Sequence, residues 1–586
     1  MTTSVFKRID YTLDLLLAGL SLGTIGLPDI QRPFIWKPVR VRDLFDSMYQ
    51  GYPVGHLLLW ANSNAEGTRE VGSDDKPKSP DLLILDGQQR LTSLYSVMRG
   101  KEICDSEYRT YRLKIAFNPL TETFAVPDAA IRRDPEYIAD ITRLWTSGEG
   151  AFAFTTNFLD SLATHRDLNA GDRRRIAENI SRLEALEKYP FIGLELAASL
   201  EEERAAEVFV RTNSEGVTLK QADFILTLMS VFQDKLRMQL EEFSKSAKQP
   251  SATGPSPFNY FIQPSPDQLL RVAVGVAFLR GRLKHVYTML RGKDMETGES
   301  SPAIRDQQFD QLANAQDQVL DLTTWSSYHK ALMAAGYASG DLISSENAIL
   351  YSYVLFILGK NHFDIDHATL RRAIARWFFM SSLTGRYTNS PESAIEEDLT
   401  KLRNKTTATE FLDMLDDEIA AALTSDYWTI TLPNELATSA ARAPSLFAYY
   451  AALRLLDAPV LFSTLTIREL LDPTIKGKKA AVDRHHLFPR AYLKAIGVEE
   501  LRSVNQIANF TLVEWADNIE ISDRPPAVYA PEHERRFIEA HGVDALNAQY
   551  VAHALPHDWW TLDYETFLCE RRSRMAAVIH RAFERL

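Results

Sequence analysis

The chain has 586 residues, too many for one ordinary core, so two or three domains are expected. Its 45% hydrophobic and 24% charged residues are ordinary for a soluble globular protein. A formal charge of −13 argues against non-specific coating of nucleic acid, though a local basic face still permits DNA binding. The two cysteines, Cys104 and Cys569, lie in no CxxC pattern, which excludes a four-cysteine zinc site.

In chain order, Asp10 and Asp14 interrupt the apolar start, so it does not read as a secretory signal. VRDLFDSMYQG predicts an amphipathic helix ending at Gly51, and YPVGHLLLW a strand. After a polar loop, LLIL predicts a short buried strand, and DGQQRLTSLYSVMRG a turn running into a helix. YRLKIAFNP reads as a further strand with a turn at Asn118-Pro119. EEERAAEVFVRTNSEGVTLKQADFILTLMSVF reads as helix, turn and helix, with Thr218 and Gln221 at capping-box spacing.

A Pro/Ser/Gly-rich break, Lys248 to Phe258, closes this mixed α/β part. The pattern is then helical to about residue 425, carried by DQLLRVAVGVAFLRGRLKHVYTML and TLRRAIARWFFMSSL. Ala348 to Gly359 is too short to span a bilayer and reads as a buried helix, so a cytoplasmic protein without a membrane partner is expected. A Pro- and Ala-rich stretch precedes the C-terminal segment, in which AVDRHHLF and ANFTLVEW look like strands. The expected fold class is α+β, mostly α: an α/β domain over 1–250, a helical region over 251–425 and a C-terminal domain over 426–586.

Two constellations carry chemistry. The C-terminal one places Asp483, His485, His486, Asn509 and Asn518 among the strand-like pieces. Phosphodiester hydrolysis needs a base for water and a cation for the charge that develops on the phosphate. Adjacent histidines on a strand face opposite ways, so a turn or bend is expected to let one bind metal while the other faces the water. Lys476, Lys478, Lys479, Arg484 and Arg490 offer a basic face for DNA beside them. The N-terminal constellation is Gln31 and Arg32 near Phe34 and Trp36, with Asp86, Gly87, Gln88, Gln89 and Arg90 at a strand-to-helix turn. Free backbone N–H groups opening a helix suit an anion, and Arg90, placed in a solvent-facing turn, suits a bidentate phosphate contact. Buried Gln/Arg clusters that satisfy loop backbones account for the same residues without a ligand, and GxxxxGK[ST] is absent.

The C-terminal residues resemble the ββα-metal signature of HNH nucleases. The resemblance implies His486 as general base, His485, Asn518 and Asp483 as metal ligands, and Asn509 as the residue that fixes the loop; the spacing from His486 to Asn509 is long for that family. QRPFIW, DGQQRLTSLY and VFVRTNSEGVTLKQADF resemble, in order, the N-terminal domain of GmrSD-type modification-dependent (type IV) restriction enzymes, which is related to the ParB-like nucleotide-binding fold. WFFMSSLTGRYTNSPES is similar to the same family. That resemblance implies an NTP site, for GTP or ATP, lined by Gln31, Arg32, Asp86, Gly87, Gln88, Gln89, Arg90, Arg211 and Asn213. It also implies divalent-metal-dependent cleavage, with Mg²⁺ or a similar ion, of double-stranded phage DNA carrying modified bases such as glucosylated hydroxymethylcytosine, or a modified backbone. A homodimer is compatible with this layout. The alternatives are an NTP-switched sensor that binds modified DNA without cutting it, and an RNase.

Overall fold

The computed structural model describes residues 6–26, 34, 36–61, 82–105, 109–197, 208, 221–294, 297–299, 301–475 and 482–586. Its contacts divide the chain into two units, 1–235 and 236–586.

The first unit is built on strand β1 (Phe6–Thr12), helix α1 (Leu13–Leu22), strand β2 (Ile25–Gly26), helix α2 (Pro38–Tyr49), strands β3 (Leu57–Ala61) and β4 (Leu82–Asp86), helices α3 (Gln88–Arg99), α4 (Gly150–Ala163) and α5 (Ala170–Glu184), and strand β5 (Pro190–Leu196). The strands form one mixed sheet in the order β1-β5-β3-β4-β2. β3 runs parallel to β5 and antiparallel to β4. Alternation along β3 sends Leu57 and Leu59 into the main core, with α1, α2 and α3, and sends Leu58 and Trp60 to the other face with Leu196. Helix α2 starts at Pro38 and buries Val41, Leu44, Phe45, Met48 and Tyr49, the spacing of one helical stripe. The strand expected over YRLKIAFNP is two short pieces instead, Thr110–Tyr111 and Ala116–Asn118, each pairing with a different partner. The Asn118 side chain accepts the Leu120 and Thr121 N–H groups and closes the turn that ends the second piece.

Among its described residues, the second unit is helical apart from one strand pair. Its helices include α6 (Pro266–Phe278), α7 (Leu283–Leu290), α8 (Pro302–Leu320), α9 (Leu322–Ala334), α10 (Glu346–Asn361), α11 (His367–Leu383), α12 (Pro391–Leu402), α13 (Ala408–Ala422) and α14 (Pro444–Leu455). Helix α10 is buried on every side from Ala348 to Gly359, which is why it is apolar all round. Among the described residues no helix is long and apolar enough to cross a membrane.

The run DQLLRVAVGVAFLRGRLKHVYTML is broken into α6 and α7 rather than continuous. Leu279 takes a left-handed φ of 50°, and a Cβ on Gly281 would strike Ile395 and the backbone of α12. Glu396 holds that corner by accepting the Gly281 and Arg282 N–H groups at 2.6 and 3.1 Å. In GRYTNSPES, Arg386 pairs with the buried Asp398 and with Glu418, and the Tyr387 hydroxyl donates to Asp398 at 2.7 Å. Those motif residues tie helices together.

Past α14 come strand β6 (Val482–His486), strand β7 (Phe510–Glu514) and helix α15 (Trp515–Ile521), then helices α16 (Pro526–His541) and α17 (Tyr564–Phe583).

Candidate active site

β6 and β7 pair antiparallel, with His485 opposite Thr511 and His486 opposite Phe510. The pairing runs through both histidines, so the bend expected between them is absent. They lie on opposite faces because the strand ladder holds the chain extended at both positions. His485 faces the interior and is 4% exposed, while His486 is half-buried with its ring against Phe510.

Each imidazole has an amide oxygen beside it. Nδ1 of His485 lies 2.8 Å from Oδ1 of Asn518, in α15, and Nε2 of His486 lies 3.0 Å from Oδ1 of Asn505. An amide oxygen only accepts, so each of these ring nitrogens donates. His486 is therefore left with the lone pair on Nδ1 and His485 with the lone pair on Nε2. Burial pushes both histidines below their ordinary range, His485 to about 4, so both are neutral near pH 7. At His486, Asn505 opposes the shift and Arg490 adds to it.

Asn509 is fully buried and pins the loop after β6. Its Oδ1 accepts the Phe488 N–H at 2.8 Å, and its Nδ2 donates to the Phe488 and Val504 carbonyls at 3.1 and 3.0 Å. From α16, the buried Tyr529 hydroxyl donates to the Leu487 carbonyl at 2.6 Å. From α17, the buried Arg571 donates to the carbonyls of Ala508 and Phe510 at 2.6 and 2.8 Å. Asp517 is half-buried beside Glu514 and Glu520, and burial first, then those charges, raise its carboxyl to about 6.

Three contributors thus escaped the sequence reading: Asn505, Tyr529 and Arg571. Asn505 is 19 residues from His486, and Arg571 is 63 from Ala508, so no local pattern connects them. The one available signal was that Asn505, like Asn509, sits in the short polar stretch leading into β7.

The other predicted residues separate into described and not. Asp483 and Arg484 take their places in β6 opposite Val513 and Leu512. Their side chains, with Lys476, Lys478 and Lys479, lie outside the described residues, and Arg490 alone of the basic face is described, as exposed. Among the described residues no three His, Cys, Asp or Glu side chains form a metal-binding group. The donors that fit a divalent cation are His485 and Asn518: a ring nitrogen and an amide oxygen 2.8 Å apart, with the other ring nitrogen of His485 buried and without a hydrogen-bond partner among the described residues.

In the first unit, Gln31, Arg32, Arg211 and Asn213 lie outside the described residues. Asp86 ends β4, Gly87 turns with φ 94°, and Gln88 and Gln89 open α3. The solvent-facing placement expected for Arg90 is corrected: its side chain is 15% exposed. Its guanidinium donates to the Val54 and His56 carbonyls at 2.6 and 2.8 Å and pairs with Asp86 at 3.3 Å. The chain can wrap Arg90 because Gly55, with φ 92°, carries no side chain: a Cβ there would lie 2.4 Å from the guanidinium. Arg90 shapes the turn from below.

Residues 15–230 match the family model described as the N-terminal domain of the GmrSD restriction endonuclease, a span that falls within the first unit. Among curated proteins, the chain is similar to an uncharacterized protein, MJ0686, of Methanocaldococcus jannaschii. The two are 20% identical over 542 residues, covering 87% of this chain and 84% of that protein.

Proposed function

We propose that the chain, whose residues 15–230 match the model of the N-terminal domain of the GmrSD restriction endonuclease, is a divalent-metal-dependent DNA endonuclease whose cutting centre is β6, β7 and α15, of the HNH type. The observation that carries this is the joint placement of four side chains. His485 and His486 end one strand, Asn509 locks the loop that follows, and Asn518 reaches back from the helix to His485.

In this reading His486 is the general base. It is neutral, half-buried, and oriented through Nε2 by Asn505, so Nδ1 is the atom that takes a proton from water. His485 and Asn518 would hold the cation, with Asp483 as a further oxygen donor, and the bound ion would stabilise negative charge on the phosphate. Asn509, Tyr529 and Arg571 keep the loop and the end of β7 in one geometry. Arg490 and the basic residues 476–484 would meet the DNA backbone.

The first unit would bind a nucleoside triphosphate, GTP or ATP, and couple its hydrolysis to cutting. The opening turn of α3 supports this, because Gly87, with φ 94°, turns the end of β4 directly into a helix N-terminus, the kind of place that suits an anion. Arg90, spent on Val54, His56 and Asp86, orders that turn. The substrate would be modified phage DNA in bacterial defence.

The test is cleavage of modified and unmodified phage DNAs, supercoiled plasmid and RNA, with Mg²⁺ or EDTA and with or without GTP or ATP. Cleavage of modified DNA that needs the cation and disappears in His486→Ala is the expected result. Equal cutting of modified and unmodified DNA removes the sensing part of the proposal. Cleavage of RNA alone replaces the substrate class, and no cleavage with any divalent cation removes the enzyme.

A further inference from the structure

In the second unit a cleft of about 960 Å³ opens between α11, α13 and the end of α17. Its size falls in the range of roughly 300–1,000 Å³ in which proteins hold small ligands. One wall is aromatic. A π-helical turn, Tyr427–Thr431, carries Trp428 into the gap, and such turns recur at functional sites. The ring of His580, in α17, lies flat on Trp428, with centroids 4.4 Å apart and planes 15° from parallel. Phe583 meets the same tryptophan at 5.8 Å. Trp428 is thereby buried, whereas the His580 side chain is 42% exposed and lines the cleft. Trp428 covers one face of the imidazole and leaves the other to the cleft.

The rim carries the charge. Arg372 and Arg376 stand one helical turn apart on α11, and both line the cleft. Arg376 sits over the ring of Phe583, 4.8 Å from its centroid, with Asp416 3.9 Å from its Nε. Elsewhere on the rim, Glu584 lies 3.8 Å from Nε2 of His580. Each of these carboxylates therefore has a basic group beside it. The guanidinium groups of Arg372 and Arg585, both exposed, have no hydrogen bond or ion pair among the described residues. An open ring face flanked by unpaired guanidinium groups matches a ligand that joins a flat base to a phosphate. The base stacks, and the phosphate takes the guanidinium fork.

We propose that this cleft binds a nucleotide: the base stacks on the open face of His580, and Arg372 takes the phosphate. A base laid there adds a third layer to the stack that Trp428 and His580 already form. Arg376, held between Phe583 and Asp416, adds positive charge to the wall without leaving its place. The cleft lies in a different unit from the turn that opens α3, and its binding needs neither the cation nor the cutting centre. The same chemistry is offered by a free mononucleotide and by a base turned out of a nucleic acid strand.

The experiment is calorimetric titration of the full-length protein with dAMP, deoxyadenosine and a short single-stranded oligodeoxyadenylate, in EDTA so that no strand is cut. The proteins are wild type, Arg372→Glu, Arg372→Lys, His580→Leu and His580→Phe. Expected is a loss of dAMP affinity of about tenfold or more in His580→Leu, which still covers Trp428 but offers no flat face, and recovery in His580→Phe. Arg372→Glu is expected to lose as much for dAMP and little for deoxyadenosine, while Arg372→Lys keeps part of the affinity. Both positions are exposed, and thermal melting checks that the variants stay folded. Nucleotide bound by the first unit is untouched by these substitutions, so only the binding they remove belongs to the cleft. Binding that no variant alters overturns the proposal, as does wild type that binds neither dAMP nor the oligonucleotide. Tighter binding of the oligonucleotide, lost in the same variants, assigns the cleft to a base of a strand, and a preference for dAMP assigns it to a free nucleotide. Photolabelling with 8-azido-dAMP and peptide mass spectrometry gives the location. Label on the peptides carrying Trp428 or His580 is expected, and label confined to the first unit overturns the proposal.

Discussion

Arg90 shows how a motif residue can matter without touching a ligand. Its guanidinium satisfies two carbonyls at the start of β3, and burial lowers its pKa while Asp86 opposes the shift. Removing it leaves Val54 and His56 without their donor at a bend that two positive-φ glycines, Gly55 and Gly87, have shaped around it. Arg90→Ala is therefore expected to lower the stability of the first unit by about 2–3 kcal/mol. Arg90→Lys, lacking the fork that reaches both carbonyls, is expected to recover little of that. Urea denaturation followed by tryptophan fluorescence measures both. A variant that unfolds like wild type yet loses nucleotide binding would return Arg90 to the role of a phosphate contact.

At the scale of elements, the β6–β7 pair is short, and much of its rigidity comes from neighbours. Arg571, fully buried on α17, reaches the carbonyls of Ala508, Phe510 and His553. Arg571→Met keeps a long apolar stem but removes every donor, so a loss of about 3 kcal/mol or more is expected. Amide hydrogen exchange should rise first in Phe510–Glu514; unchanged protection there would show that the strand pair stands without α17. The two strands were legible because AVDRHHLF and ANFTLVEW carry β-forming residues between turns, α10 because its apolar run is too short to span a bilayer, and α11 because its apolar residues recur at helical spacing. The residues that act across elements were not. Asn505 and Arg571 reach the site from 19 and 63 residues away, through packing that no local period encodes. The break between α6 and α7 was hidden for the same reason: its cause is Glu396 and the backbone of α12, over 100 residues downstream. Between the histidines, the expected bend ignored how far the ladder with β7 extends.

At the scale of the molecule, burial pushes three histidines of the second unit furthest below their ordinary range: His329 falls to about 3, and His485 and His553 to about 4. In an unfolded chain each titrates near 6.5, so between the two values the unfolded state binds more protons. Their contribution is complete above about 6.5 and is lost as the pH falls through the folded values, each on the order of 3 kcal/mol. Asp517 and Glu534 act in the opposite sense, since burial raises them to about 6 and about 7 and their contribution fades as the pH rises toward those values. Glu396, held at about 2 by the Gly281 N–H and Arg403 against the desolvation of burial, adds to the acid side: its contribution is complete above the ordinary carboxylate range and disappears as the pH drops toward 2. Three deep histidines outweigh two half-buried carboxyls, so the melting temperature is expected to fall steadily from pH 7 to pH 4. His553 tests the assignment best, because it is not among the proposed cation ligands and is held between the Thr511 hydroxyl at 2.9 Å and the Pro459 carbonyl at 2.8 Å. His553→Gln keeps a donor and an acceptor but cannot be protonated, so its melting temperature should fall less steeply between pH 6.5 and pH 4 than that of wild type. Parallel curves for the two proteins would show that His553 takes up its proton without leaving its place, and that acid sensitivity arises elsewhere in the unit.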